Sequence, residues 1–186
     1  MRSITLIAFF CTLIRQIRAG FESPEIHLFP SHDTFVRRDR GDVYYGAASK
    51  ITVTKRGANQ RIGMMKFDTS EYNVKADGTE ATLMLSVADS HDEAVQVKVY
   101  RLVSDFDEDH VNWDSFDGNV HTDQEVTFTV NNTNIDRMGE VNISKLLRDG
   151  KDVLLALVVD EGHVKFHSKD NEHELIPKLV LRPNEL

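Results

Sequence analysis

Residues 153–159 read Val-Leu-Leu-Ala-Leu-Val-Val, an uninterrupted apolar run between two turn signals that each contain a glycine. A run of this length is typical of a central strand that is buried on both faces. Another segment alternates instead, and its Leu83, Leu85 and Val87 fall on one face because successive side chains of a strand point to opposite sides. Together these patterns predict an all-β protein.

Similar signals recur along the chain and predict eleven short strands, with almost no helical periodicity between them. One helical turn is predicted at residues 144–148, with Ser144 as its N-cap. Strands of this number and spacing indicate a two-sheet antiparallel β-sandwich of the jelly-roll type. The predicted strands are Ile26–Phe29, Thr34–Arg38, Ile51–Arg56, Arg61–Phe67, Ala81–Val87, Val95–Val103, Val126–Val130, Glu140–Ile143, Val153–Val159, Val164–His167 and Ile176–Leu181.

The N-terminal segment, residues 1–19, is predicted to be a secretory signal peptide. Arg2 gives it a basic start, residues 4–14 are mostly apolar, and Ala19 is a small residue suited to cleavage. The apolar run is shorter than the roughly 20 residues that span a bilayer, so no membrane insertion is expected. The alternative is an N-terminal helix packed on the core. The favoured interpretation is a secreted, extracellular protein with a single domain at residues 20–186.

Cysteine usage fits an exported domain that folds without a disulfide. The only cysteine, Cys11, lies in the predicted signal segment, which excludes thiol catalysis and Cys-ligated zinc in the domain itself. Two Asn-x-Ser/Thr triplets begin at Asn131 and Asn142, and these are the predicted glycosylation sites.

Charge is distributed unevenly along the chain. The formal net charge is −8, yet residues 37–66 hold eight basic and only two acidic side chains. One interpretation is that these cations form ordinary ion pairs with acidic strands elsewhere. The other is a binding face for a polyanion. Nucleic acid is a poor partner for so acidic a protein, whereas an acidic polysaccharide presents carboxylates or sulfates that Arg and Lys can bind.

A series of short motifs recurs in a fixed order from residue 32 to residue 180. They are His32-Asp33-Thr34-Phe35-Val36-Arg37-Arg38, Tyr45-Gly46, Ile51-Thr52-Val53, Arg61-Ile62-Gly63-Met64-Met65-Lys66-Phe67-Asp68, Val97-Lys98-Val99-Tyr100, Phe106-Asp107-Glu108 leading to Val111-Asn112-Trp113, and Val164-Lys165-Phe166-His167-Ser168-Lys169-Asp170 with Pro177-Lys178-Leu179-Val180. In this order the series resembles the DNRLRE-domain family, also classed as carbohydrate-binding module family 96. Tyr44 and Phe106 stand where that family has Asn and Trp.

The resemblance implies a β-sandwich without catalysis that binds alginate-type uronate polymers through basic positions on its first core strands. Because Phe67 is expected in the core, the neighbouring Lys66 is expected to point to solvent. Tyr44 or Tyr45 is expected to stack on a sugar ring. The predicted ligand-binding cations are Arg37, Arg38, Lys50, Lys55, Arg61 and Lys66.

No motif in the sequence predicts an enzyme. The acidic run at residues 105–110 fails the EF-hand pattern because His110 stands where glycine is needed, so a solvated acidic loop is expected there. The alternative is a structural calcium held by Asp33 with loop carboxylates. Two other functions stay open: an extracellular structural or adhesive coat protein that docks another protein, and a polysaccharide lyase.

Overall fold

Eleven β-strands make up most of the described chain, and each overlaps one of the predicted strands. The computed structural model describes residues 24–183 apart from 91, 93, 117, 119 and 173, so the predicted signal peptide with Cys11 lies outside the described residues. The strands are β1 (Ile26–Leu28), β2 (His32–Arg37), β3 (Lys50–Arg56), β4 (Asn59–Phe67), β5 (Thr79–Ser90), β6 (Val95–Leu102), β7 (Val120–Val130), β8 (Met138–Asn142), β9 (Val153–Val159), β10 (Gly162–His167) and β11 (Lys178–Pro183).

The strand ladders are antiparallel, so the predicted all-β class is confirmed. The hydrogen-bonded order is β1-β11-β5-β10-β3-β4-β9-β6-β7, with β2 on β4 and β8 on β5. The strands therefore form one continuous, curled antiparallel sheet. The two separate sheets of a sandwich stay a prediction. β5 pairs with both β10 and β11, and β3 pairs with β4, so the hydrogen-bonded order is continuous across all of these strands.

β9 lies between β4 and β6, as expected for a central strand. Val153, Leu155 and Leu157 on one face belong to the main apolar core. Ala156 on the other face belongs to a second apolar cluster. Apolar side chains therefore cover both faces of β9, which is why its sequence is a continuous apolar run.

The second apolar cluster lies on the face of β2, β4, β6 and β9 that points away from the main core. Ile62 and Met64 of β4 are buried in it. Residues 103–116, which we call the cover segment, pack Phe106, Trp113 and Phe116 against these strands. Trp113, which lies in a turn, thus contributes to an apolar core.

The helical content of the described residues consists of short 3-10 turns. One of them, Ser144–Leu146, confirms the predicted position but not the predicted cap, because Ile143 is the N-cap and its side chain makes no capping bond. The Ser144 hydroxyl instead accepts a hydrogen bond from the Ala81 N–H at 2.9 Å. In the part of the chain that the structure describes, no helix is long and apolar enough to cross a membrane.

Candidate anion-binding site

Four polar side chains from neighbouring strands form a row across β2, β4, β3 and β10. Arg37 lies opposite Arg61, Arg61 lies opposite Thr54, and Thr54 lies opposite His163. Directly opposed residues of an antiparallel pair place their side chains together. The Thr54 Oγ1 is accordingly 2.6 Å from the His163 Nδ1.

The β3–β4 hairpin sets the register of this row. Its turn begins at Gly57, whose φ of +57° is the left-handed conformation that tight hairpin turns require. The sequence indicated Arg37 and Arg61 through their charge but gave no sign of Thr54 and His163. These two residues are 109 positions apart, and only the pairing of β3 with β10 brings them together.

Arg37 is engaged in an ion pair at the edge of the row. Its Nε and Nη2 donate to the two carboxylate oxygens of Asp39 at 2.5 and 2.6 Å. This paired hydrogen bond lowers the pKa of Asp39 to about 2. Asp39 therefore stays ionised over the physiological range and offsets much of the charge of Arg37.

Arg61 is half-buried and has no such partner. Among the residues that the structure describes, its guanidinium makes no ion pair or hydrogen bond, and its buried Nε is without an acceptor. Burial lowers the pKa of Arg61, and the nearby charge of Arg37 lowers it further. A guanidinium does not lose its proton in proteins, so this charge persists and favours the binding of an anion.

The other predicted cations differ in how accessible they are. Arg38 and Lys50 are exposed, and Lys55 is half-buried. Lys66 does not point to open solvent, and that expectation is wrong: its side chain is 15% exposed and its ammonium lies 2.7 Å from Asp105. The reason is that the aromatic side chains of the acidic cover segment pack on the second apolar cluster, so this segment lies over the face of β4 that holds Lys66.

The two predicted tyrosines occupy different environments. The Tyr45 ring stacks on Phe35 of β2, with ring centroids 4.3 Å apart and an angle of 24° between the planes. One face of Tyr45 is therefore used in packing. Tyr44 is 53% exposed, so its ring remains accessible to a ligand. Asp114 of the cover segment donates its N–H to the Gly41 carbonyl at 3.1 Å. This hydrogen bond connects the cover segment to the start of the loop that contains Tyr44 and Tyr45.

Asp33, the predicted calcium ligand, is 1% exposed and lies between the cover segment and the end of β10. Its carboxylate accepts hydrogen bonds from the Ser168 hydroxyl and the Lys169 N–H, each at 2.7 Å. Its own N–H donates to the Glu108 carboxylate at 2.7 Å. Burial is the main cause that raises the pKa of Asp33 to about 6.

Three carboxylates at this position meet part of what calcium requires. Oxygens of Asp33, Glu108 and Asp170 lie within 4.8 Å of one another. Calcium takes six to eight oxygen ligands, and here the Lys169 ammonium already lies 2.9 Å from Glu108 and 3.1 Å from Asp170. The cluster is thus held together by a lysine, and a calcium ion would have to displace that ammonium.

The two predicted glycosylation sites differ in how freely their side chains can react. Asn131 is half-buried, and its Oδ1 accepts from both the N–H and the hydroxyl of Thr133 at 2.9 and 2.6 Å. Asn142 is exposed on β8, and its Oδ1 accepts from the Ser144 N–H at 3.0 Å. Glycosylation of both residues stays a prediction.

No family model matches the chain, and no curated protein matches it. The resemblance to carbohydrate-binding module family 96 therefore stays a prediction.

Proposed function

We propose that this chain is a secreted, non-catalytic protein that binds an acidic polysaccharide of the uronate or sulfated type. The observation that carries the proposal is the Arg61 guanidinium, which is half-buried, positively charged and without an acceptor among the described residues. A carboxylate or sulfate group matches the planar, forked donors of an arginine and would offset the cost of its partial burial.

Only some of the other cations near this row in the sequence are paired with a carboxylate among the described residues. Arg56 and Lys66 form ion pairs with Asp92 and Asp105, so part of the basic segment is neutralised within the fold. Within the described ranges, four more basic side chains of this segment make no ion pair: Arg38, Arg40, Lys50 and Lys55. A polymer that repeats its negative charges can engage several such side chains at once.

The binding mode that follows combines one strong contact with several weak ones. Exposed charge contacts contribute about 0–1 kcal/mol each, so Arg38 and Lys50 would add little singly. Arg61 would hold one charged group of the polymer, and the accessible Tyr44 ring would stack on a sugar ring of the same polymer. We assign no bond-breaking step to the row, because Asp39 is held by Arg37 and its low pKa makes it a poor general base.

The test is retention of the protein, without residues 1–19, on immobilised polyuronate, sulfated glycan and neutral glucan. The wild-type protein is expected to bind the acidic polymers, and binding should weaken as salt is added. Arg61→Gln should reduce affinity about tenfold, consistent with the loss of a charge-assisted pair of hydrogen bonds. Arg137→Gln removes an equal charge from an exposed residue after β7 and should bind normally.

Three results would overturn the proposal. They are equal retention on the neutral glucan, retention of Arg61→Gln that matches the wild type, and release of unsaturated sugars from the polyuronate. The last result would favour a polysaccharide lyase.

A separate observation favours the docking of another protein. β7 is eleven residues long and, within the described ranges, its ladder pairs it with β6 alone. An open strand edge can accept an extended segment of a partner chain. The coat-protein alternative is tested by the double variant Thr127→Lys and Thr129→Lys on β7. This alternative is supported if the polymers do not bind, the wild-type protein associates with an extracellular protein, and the double variant loses that association.

A further inference from the structure

A second arginine, Arg101, lies near the end of β6 and is buried. It is 8% exposed, and its Nη1 has no hydrogen-bond acceptor among the residues that the structure describes. In the described part of the chain the whole guanidinium makes neither an ion pair nor a hydrogen bond. Arg101 lies outside the basic segment of residues 37–66 and outside the proposed polysaccharide row.

The strand register separates Arg101 from that row. Arg101 lies opposite Leu155 of β9, which in turn lies opposite Met65 of β4. Met65 and Arg61 are four residues apart on β4, which is about 13 Å at the rise of an extended strand. Arg101 lies a further two strands away, across β9 on β6. On its other side Arg101 faces His121 of β7, just after an irregularity in the β6–β7 pairing.

The charged groups around Arg101 do not neutralise it. Burial lowers the pKa of Arg101, and the charge of Arg148 lowers it further, while Asp123 acts weakly in the opposite direction. The Asp123 carboxylate faces His121 instead, 3.8 Å from its Nδ1. Arg148 is exposed and makes no ion pair in the described ranges. Arg148 therefore adds a second positive charge to the region of Arg101, while the Asp123 carboxylate of that region lies against His121.

A buried cation is costly unless an anion pairs with it, and an arginine cannot escape this cost by losing its proton. An anion from outside the described chain would offset this cost at Arg101. An oxyanion suits the position, because the parallel N–H donors of a guanidinium match two oxygens of a sulfate, phosphate or carboxylate group.

We propose that Arg101 and Arg148 form a second anion site, which binds the oxyanion group of a small molecule or of a larger ligand. The site is independent of the polysaccharide row. His121 of β7 lies directly opposite Arg101, with Asp123 two residues farther along that strand, and Leu155 of β9 lies opposite Arg101 on its other side.

The test follows the Nε–Hε resonance of Arg101 by NMR in the full domain while sodium sulfate, phosphate or acetate replaces sodium chloride at matched ionic strength. A saturable shift of this resonance is expected with at least one oxyanion. The melting temperature should rise by about 3 °C relative to chloride. A response to acetate assigns a carboxylate ligand, and a response to sulfate or phosphate alone assigns a dianion.

Charge reversal at Arg148 provides the decisive variant. Arg148→Glu places a carboxylate near Arg101, so it should raise the melting temperature in chloride and abolish the saturable shift. Arg137→Glu makes the same charge change on another exposed arginine and should keep the shift. Arg61→Gln should also keep it, so failure of the polysaccharide row and failure of this site are distinguishable.

The proposal is overturned if the Arg101 resonance does not saturate with any of the three anions, or if Arg148→Glu leaves the saturation unchanged. It is also overturned if Asp123→Asn lowers the melting temperature in chloride and no anion shifts Arg101 in the wild type. That pattern would mean that Asp123 neutralises Arg101 in solution.

Discussion

The Lys66 ammonium lies 2.7 Å from the Asp105 carboxylate, and this contact ties β4 to the cover segment. Asp152 provides a second, weaker contact at 3.9 Å. The hydrogen bond with Asp105 raises the pKa of Lys66, so its charge is used inside the fold. A lysine engaged in this way contributes to the placement of the cover segment and is a poor contact for an external polymer.

Lys66→Met should therefore leave polymer affinity within about twofold of the wild type, because the charge it removes is already paired. In a double-mutant cycle with Asp105→Asn, the coupling energy should be about 0.5–1 kcal/mol by urea unfolding, since the pair is partly exposed. If Lys66→Met weakens binding as much as Arg61→Gln does, Lys66 belongs to the ligand site after all.

Gly63 of β4 sits where no larger side chain fits. A Cβ on this residue would lie 2.7 Å from the Ile51 Cγ2 and 3.1 Å from the Val53 Cγ2, both in the main core. Gly63→Ala should lower the free energy of unfolding by about 1–3 kcal/mol through overpacking, as measured by urea denaturation. Gly139→Ala on β8 is the matched control, because its Cβ would make only an ordinary contact at 3.6 Å. Equal stability of the two variants would contradict the packing described for β3 and β4.

Asp33 should make stability depend on pH between about 4 and 6, because its pKa rises from the ordinary value near 3.9 to about 6 on folding. In this window the folded state holds a proton that the unfolded state has lost. Stability is therefore expected to decrease as the pH rises, by an amount on the order of 2 kcal/mol from this residue.

Asp33→Asn should remove that decrease, so the difference in unfolding free energy between wild type and variant should change with pH across the window. Urea unfolding at pH 4, 5 and 6 measures it. Asp77→Asn removes an exposed carboxyl from a separate turn and serves as the control. Parallel stability curves for wild type and Asp33→Asn would show that Asp33 does not bind a proton on folding.

Substitutions of Tyr44 and Tyr45 are expected to have different effects, one on polymer binding and the other on stability. Tyr45→Ala removes the ring stacked on Phe35 and should destabilise the domain by about 1–2 kcal/mol, since an aromatic pair adds to the apolar area that is buried. Tyr44→Ala should leave the unfolding free energy within about 0.5 kcal/mol but weaken polymer binding. Thermal unfolding and retention on polyuronate, measured for both variants, check this. If Tyr44→Ala destabilises the domain and Tyr45→Ala weakens polymer binding instead, then Tyr45 and not Tyr44 is the ring that contacts the ligand.

The strands could be predicted because their signals are local. Alternation at Leu83, Leu85 and Val87 and the apolar run of β9 each reflect which faces are buried, and both agree with the main core. Prediction failed where the pattern is weak. The strand expected at residues 126–130 begins at Val120, because pairing with β6 extends it through a polar stretch.

The candidate site was predictable only in composition. Local sequence identified Arg37, Arg61 and Lys66 as unusual charges in an acidic chain and predicted that all three bind the ligand. Arg37 pairs with a residue 2 positions away and Lys66 with one 39 positions away, whereas Arg61 has no acceptor among the described residues. Strand register decides which of these outcomes each cation has. The buried Arg101 gave no sequence signal, since nothing in its neighbours indicates whether a carboxylate will reach it.

The sequence by itself thus determined the all-β class, the positions of the strands and the excess of cations between residues 37 and 66. Only the tertiary structure decided that Lys66 is neutralised by Asp105 and that Arg61 has no acceptor in the part of the chain that the structure describes. The physical reason is that strand formation depends on neighbours one or two residues apart. Charge pairing depends on which distant segments the curled sheet and its cover segment bring within about 4 Å.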